Sequence, residues 1–274
     1  MTELASWIGS EAHARDVIAA APLRRLAATL DIDAAFSDGD PLPPMWHWLF
    51  CLPEAPRSVL GVDGHPRRGG FLPPVPLQRR MFAGGDTRFE ASLRVGDVVQ
   101  RRSRVEDVVA KQGRWGPLVL VTVTHDISRR GAVAVRERQT LVYTDATPAP
   151  DEGETAPPAA VWARDVPTDP VLLFRFSALT FNSHRIHYDA AYAKEVEAYP
   201  GPVVHGPLTA LLLLDLMRRH SPRRPVRFGF RALAPVFVGD TVSLRGTPGD
   251  REVGLAAYRP DGMLAVEAHV ELRR

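Results

Sequence analysis

The tripeptide Val-Gly-Asp occurs twice, in "LRVGDVVQRRSRV" and in "VFVGDTVSLRGTP", each time ahead of a segment of alternating residues. Such a pattern predicts a tight turn feeding a strand. Gly96 and Gly239 lie 143 residues apart. Further on, "VLVTVTHDISRRGAVAVRERQTLVY" and "EVGLAAYRPDGMLAVEAHVELR" share a strand, Gly-ended turn, strand pattern, with Gly131 and Gly262 131 residues apart. The chain is therefore written twice, and its first copy carries 12 extra residues, expected around "AKQGRWGPL". The clean alternation in "VAVRERQTLVY" and "LAVEAHVEL" predicts antiparallel strands with one buried face.

Residues 144–160, "TDATPAPDEGETAPPAA", have a linker composition, rich in Pro, Ala, Glu and Thr without periodicity. The organisation expected is an N-terminal half over 1–145, a linker over 146–160 and a C-terminal half over 161–274. Each half is predicted to hold one helix ahead of its strands. Residues 14–30 place Val17, Ile18, Ala21, Leu26 and Leu30 at roughly helical spacing, with Pro22 as a kink. Residues 207–219, "PLTALLLLDLMRR", are apolar on nearly every side, as in a fully buried helix. A Pro-, Gly- and aromatic-rich stretch over 40–80 reads either as an ordered surface insertion or as a functional wall.

Composition narrows the classes of function. Hydrophobic residues make up 45% and charged residues 24% of the 274 positions, with a net charge of +2, ordinary for a globular protein. Thirty-two of the 34 basic residues are arginine, interleaved with Asp and Glu in no long run, which argues against a nucleic-acid arm. The single cysteine, Cys51, allows no intrachain disulfide and no cysteine-based zinc site. No apolar run approaches the ~20 residues of a membrane helix, and the mixed N-terminus has no signal core. The expectation is a cytoplasmic protein with neither a membrane nor a nucleic-acid partner.

The chemistry concentrates in "LTFNSHRIHYD" (179–189) and "YPGPVVHGPLTALLLLDLM" (199–217). "VLLFRFSALT" reads as a strand and "FNSHRIHYD" as the loop after it. Pro207 suits the first helical position, which makes Gly206 the expected N-cap, with His205 before it. A helix N-terminus presents N–H groups and a positive dipole end, and aimed at a carbonyl these stabilise an oxyanion. His187 suits a general base, whereas Asn182 orients a water without taking its proton. A zinc site on His184, His187, Asp189 and His205 fits no strong ligand spacing. No phosphate-binding Gly-rich loop and no G-x-S-x-G elbow are present.

The run "FSALTFNSHRIHYDAAYA" followed by "PGPVVHGPLTALLL" resembles the MaoC-like hydratases and dehydratases of the hot-dog fold. "RRMFAGGDTRFEASLRVGDVVQR" and "KQGRWGPLVLVTVTHDI" are similar to the double-hot-dog branch that includes the mesaconyl-C4-CoA and itaconyl-CoA hydratases. The resemblance implies an α+β double hot-dog, two antiparallel sheets each wrapping a central helix, with a degenerate N-terminal half. It implies reversible hydration of an α,β-unsaturated acyl-CoA, a dicarboxylic one in that branch, with no metal or redox cofactor. His187 falls on the catalytic histidine, and Asn182 falls where the general motif has an aspartate. Gly206 falls on the glycine whose N–H polarises the thioester carbonyl. Arg185 and His205 are candidates for substrate binding, and Arg101, Arg102, Lys111 and Arg114 for the CoA phosphates. A hot-dog thioesterase and a non-catalytic acyl-CoA binding protein remain as alternatives, and a homodimer stays open.

Overall fold

The computed structural model describes residues 2–113, 116–146 and 157–273, so most of the expected linker lies outside the described residues. Two compact units emerge: Met1–Ala83, Phe89–Pro148 and Ser177–His184 form one, and Gly84–Arg88, Ala149–Phe176 and Arg185–Arg274 the other. Among the described residues no helix is long and apolar enough to cross a membrane.

The first unit begins with a short α1 (Thr2–Ala5), β1 (Glu11–Val17) and α2 (Ala20–Thr29). It continues through most of β2 (Arg79–Phe89) to β3 (Val98–Gly113), β4 (Gly116–Arg129) and β5 (Ala132–Thr144). Strands β1, β3, β4 and β5 pair antiparallel in that order. The second unit contains β6 (Trp162–Pro167), most of α3 (Pro170–Leu179), α4 (Ala190–Glu195) and α5 (Gly206–His220). Strands β7 (Pro225–Ala232), β8 (Thr241–Pro248), β9 (Glu252–Tyr258) and β10 (Leu264–Leu272) follow. Its antiparallel order is residues 84–88 of β2, then β7, β10, β9, β8 and β6.

Helix α5 is the centre of the second unit. Every residue from Leu208 to Met217 is buried, and the helix packs on β6, β8, β9 and β10. Complete burial of each leucine contributes about 1.5–3 kcal/mol, so this one helix fixes which face of the sheet is inside. Asp215 is buried with it because Arg164 and Arg219 hold its carboxylate at 2.7 and 2.8 Å. A sheet wrapped around one buried helix is the hot-dog arrangement.

The repeat is visible in hydrogen bonds. In both copies the Val-Gly-Asp turn closes from the Asp N–H to the carbonyl three residues back, Asp97 to Arg94 (3.0 Å) and Asp240 to Phe237 (3.1 Å). Each Asp side chain returns a bond to that first residue's N–H, at 2.8 and 2.9 Å. The glycines have φ of +93° and +96°, the left-handed value demanded at the third position of a type II turn. Each turn also ties to the strand ahead of the first helix, Gly96 N–H to the Ile18 carbonyl and Gly239 N–H to the Thr168 carbonyl. The 12 extra residues lengthen one hairpin: β3 and β4 have 16 and 14 residues, β8 and β9 only 8 and 7. Arg114 lies outside the described residues.

Two helix expectations are corrected. Residues 11–17 are strand, and Pro22 sits in the first turn of α2, where a missing N–H costs nothing. "VLLFRFSAL" is helix α3, not strand, because Asp169 accepts from the Leu172 N–H (2.7 Å) ahead of Pro170. The counterpart of α2 is thus α3 and not α5. Residues 40–78 contain no α-helix, only 3-10 turns at Trp46–Leu49 and Arg57–Val59. This stretch packs into the first unit: Val75 joins the core of Val105, Val119, Val121, Val123 and Tyr143, flanked by Phe71, Leu72 and Leu77. Replacing Gly239 by alanine puts a Cβ in a left-handed conformation, with no steric neighbour to confuse the result. The expected loss is about 1–2 kcal/mol of stability, read as a lower urea midpoint at unchanged slope.

Candidate active site

The C-terminal unit converges on the segment before α5. The Val203 N–H donates to the Ile186 carbonyl (2.8 Å), and the Val203 carbonyl accepts from His187 Nδ1 (2.7 Å). On the other side the Val204 N–H donates to Val236 (2.8 Å) and the Val238 N–H to Pro202 (2.9 Å), next to the Val-Gly-Asp turn. A carbonyl only accepts, so Nδ1 carries the proton and Nε2 is the basic nitrogen of the ring. Burial pushes the His187 imidazole down to about 4, although the Val203 bond favours the protonated ring. His187 is therefore neutral near pH 7 and holds a proton-accepting nitrogen in a buried setting. Its ring stacks on that of His205, centroids 3.6 Å apart, and His205 meets Phe176 edge-on at 5.0 Å.

His205 is the N-cap of α5, which corrects the expectation of Gly206 there. The His205 backbone is extended, and its carbonyl already accepts from the Thr209 N–H (3.1 Å), the first bond of the helix. Gly206 is then the first helical residue and Pro207 the second. The Gly206 N–H has no acceptor within the helix, and Pro207 has no N–H at all. Glycine is not needed for its φ here, since Gly206 is absent from the left-handed region. The absence of a side chain leaves the helix end open to close approach by a carbonyl.

Asn182 belongs to the N-terminal unit. Its N–H bonds the Ser177 carbonyl (2.9 Å) five residues back, with Phe181 left-handed between them at φ +49°, which is the Schellman ending of α3. The Asn182 Oδ1 accepts from the His184 N–H at 3.0 Å. The acceptor end of the amide is thereby turned to its own backbone, and the end that remains for chemistry is the NH₂ donor pair. The first copy ends its helix the same way, with Ile32 N–H on the Ala27 carbonyl and Asp31 at φ +53°. Ile32 is thus the counterpart of Asn182, and the first copy offers no amide at this position.

Residues 45–238 match the family described as hydroxyacyl-thioester dehydratase type 2. The chain belongs to that family. It is 46% identical to mesaconyl-C4-CoA hydratase of Chloroflexus aurantiacus over 97% of both chains. By structure it is similar to HtdX of Mycobacterium tuberculosis (TM-score 0.72, 20% identity, 96% of this chain and 100% of that one). It is also similar to a conserved hypothetical protein of Mycobacterium tuberculosis with a double hotdog fold (TM-score 0.64, 13% identity, 97% and 96% covered). The fold is the double hot-dog, and the chain is a hydro-lyase of thioester substrates.

Arg185 holds Asp189 Oδ2 through Nε and Nη2 (3.1 and 2.7 Å) and lies over the Tyr192 ring at 4.2 Å. Asp189 in turn caps α4 at the Tyr192 N–H. Arg101 and Arg102 point to opposite faces of β3, so they form no single phosphate cradle. Arg102 is exposed and paired with Glu11, Arg101 is half-buried near Cys51, and Lys111 is roughly 30 Å further along the strand. Among the described residues no group of three His, Cys, Asp or Glu side chains is placed to hold a metal. Residue types alone do not point to Val203, whose contribution is backbone and leaves no side-chain signal. A neutral buried base also sets the pH profile. His187 is depressed in the fold, so its neutral form and the stability linked to it are complete above about 6.5 and fade as pH falls through about 4. The acidic limb of kcat/KM is expected near 4; a limb near 6.5 would assign the base elsewhere.

Proposed function

We propose that the chain reversibly hydrates a dicarboxylic enoyl-CoA, mesaconyl-C4-CoA or itaconyl-CoA. The observation that carries the substrate class is the 46% identity, across nearly the whole chain, to mesaconyl-C4-CoA hydratase. The thioester carbonyl accepts from the Gly206 N–H at the mouth of α5. Asn182, through its NH₂ group, holds the water by its oxygen. Nε2 of His187 takes one proton from that water while its oxygen bonds the β-carbon. The π electrons move through the α-carbon onto the thioester oxygen, and the enolate collapses as the α-carbon takes the proton back from His187. One base therefore serves both proton transfers, which the neutral, tautomer-fixed His187 supports.

Loss of the conjugated absorbance of mesaconyl-C4-CoA, itaconyl-CoA and crotonyl-CoA tests the reading, with the charged substrates expected to turn over faster. His187→Ala is expected to lower kcat by about 10²–10⁴ in a folded protein. Near-normal turnover in that variant would remove His187 from the mechanism, and release of free thiol without hydration would make the chain a thioesterase. Gly206→Val is expected to abolish turnover more than it lowers the melting temperature, because its side chain crowds the carbonyl against the N-terminal amides. Activity lost only in step with unfolding would leave the helix mouth without a role. Since Arg185 is engaged by Asp189 on two nitrogens, Arg185→Leu is expected to change the ratio of charged to uncharged substrate rates by less than about 3-fold. A shift of about 10-fold or more would make it the carboxylate anchor.

A further inference from the structure

The proline-rich stretch that replaces a helix in the first copy reaches the loop carrying Asn182. Residues 61–65 form a tight turn. The Gly61 N–H donates to the His65 carbonyl (2.7 Å), and the Gly64 N–H to the Gly61 carbonyl (3.1 Å). Asp63 Oδ1 accepts from the His65 N–H (3.0 Å), and Leu60 bridges Pro66. Arg80 of β2 anchors the turn, since its Nη2 donates to His65 Nδ1 at 2.8 Å.

The turn is seated on residues 183 and 184. Ser183 Oγ donates to the Gly64 carbonyl at 2.6 Å, and the His65 and His184 rings lie 4.3 Å apart. Gly64 has φ of +87°, and a Cβ placed there would lie 1.9 Å from the Ser183 carbonyl oxygen. Backbone therefore meets backbone at a distance only glycine allows. The same two residues fix Asn182, because the His184 N–H is the donor that holds the Asn182 Oδ1. Shifting Ser183 and His184 moves the atom that sets which way the Asn182 amide faces.

We propose that the 61–65 turn is a positioning element for Asn182, with Gly64 as its key residue, so that the first copy sets the geometry of the water. This rests on the water-holding role proposed for Asn182. Gly64 acts through another residue, and its effect should fall on the chemical step. Displacing a positioned group by about 1 Å costs on the order of 10²-fold in rate.

The test is a double-mutant cycle in the full chain, read by steady-state hydration of the best of the three thioesters. Gly64→Ala is expected to lower kcat by about 10- to 100-fold with KM within about 3-fold. In the Asn182→Ala background the same change is expected to alter kcat by less than about 2-fold, since the group it displaces is gone. Ser183→Ala removes the 2.6 Å bond to Gly64 and introduces no clash, and it is expected to lower kcat by about 3- to 10-fold. It carries the cycle if Gly64→Ala fails to fold. Effects that multiply in the double variants overturn the clamp while leaving the role of Asn182 standing. An Asn182→Ala protein with the parent kcat overturns both. A loss confined to KM makes the turn part of substrate binding and overturns the positioning role.

Discussion

The backbone of Val203 is the point on which the C-terminal unit turns. Its N–H and carbonyl are both spent on residues 186 and 187, one on a main-chain carbonyl and one on the imidazole ring. Its neighbours are spent on residues 236 and 238 on the other side. This short extended segment therefore joins three things: the histidine, the start of α5 and the Val-Gly-Asp turn. Breaking one such bond inside the protein leaves a buried group unpaired at about 1–3 kcal/mol. The cost of disorder in the segment is a multiple of that, which keeps the ring and the helix mouth in a fixed relation.

The duplicated chain shows what each copy can give up. Both copies keep the tight turn, its Asp cap, its left-handed glycine and the tie back to the strand before the first helix. These are backbone solutions, set by main-chain bonds and one left-handed glycine in each copy. The first copy has Ile32 in place of the amide and a proline-rich wall in place of the central helix. Its core is closed by Val75 and its apolar neighbours instead. It also buries a charge network: Glu137, 2% exposed, accepts from His47 and from Trp48. Burial alone would raise that carboxyl, but the bond and charge of His47 outweigh it and hold the group at about 2. Such a pair is expensive to desolvate and specifies one arrangement of the wall over β5, since any other would leave a buried charge unpartnered.

The parts of this architecture that are legible in the sequence are those written in side-chain pattern. The duplication, the antiparallel hairpins, the buried helix after residue 206 and the position of the added hairpin residues all follow from glycine spacing and alternation. Helix α3 reads as a strand because "VLLF" is apolar enough for one. The Asp169-Pro170 pair that starts the helix sits just ahead of it and is the better signal. The N-cap of α5 falls one residue earlier than its sequence suggests, at a histidine whose side chain makes no capping bond and so gives no capping signal. Asn182 and His187 stand out as residue types, yet neither the tautomer of the ring nor the orientation of the amide can be read from sequence, since both are fixed by main-chain atoms of residues 203 and 184.

Those two fixed orientations bear on how one histidine can do the work of an acid/base pair in the proposed hydration. An imidazole held near 4 is a poorer base than an ordinary one by roughly 3 kcal/mol, at about 1.36 kcal/mol per pKa unit. The same shift makes its imidazolium a correspondingly stronger acid, which favours return of the proton to carbon. The deficit on the way in is met by the reaction itself. In the proposed reaction negative charge would collect on the thioester oxygen at the helix mouth as water adds, and an opposite charge within about 4–6 Å favours the protonated ring. Enolate and imidazolium would then stabilise each other. A site that keeps the resting histidine neutral withholds the charge until the substrate develops its own, and the stabilisation falls on the transition state and not on the bound ground state.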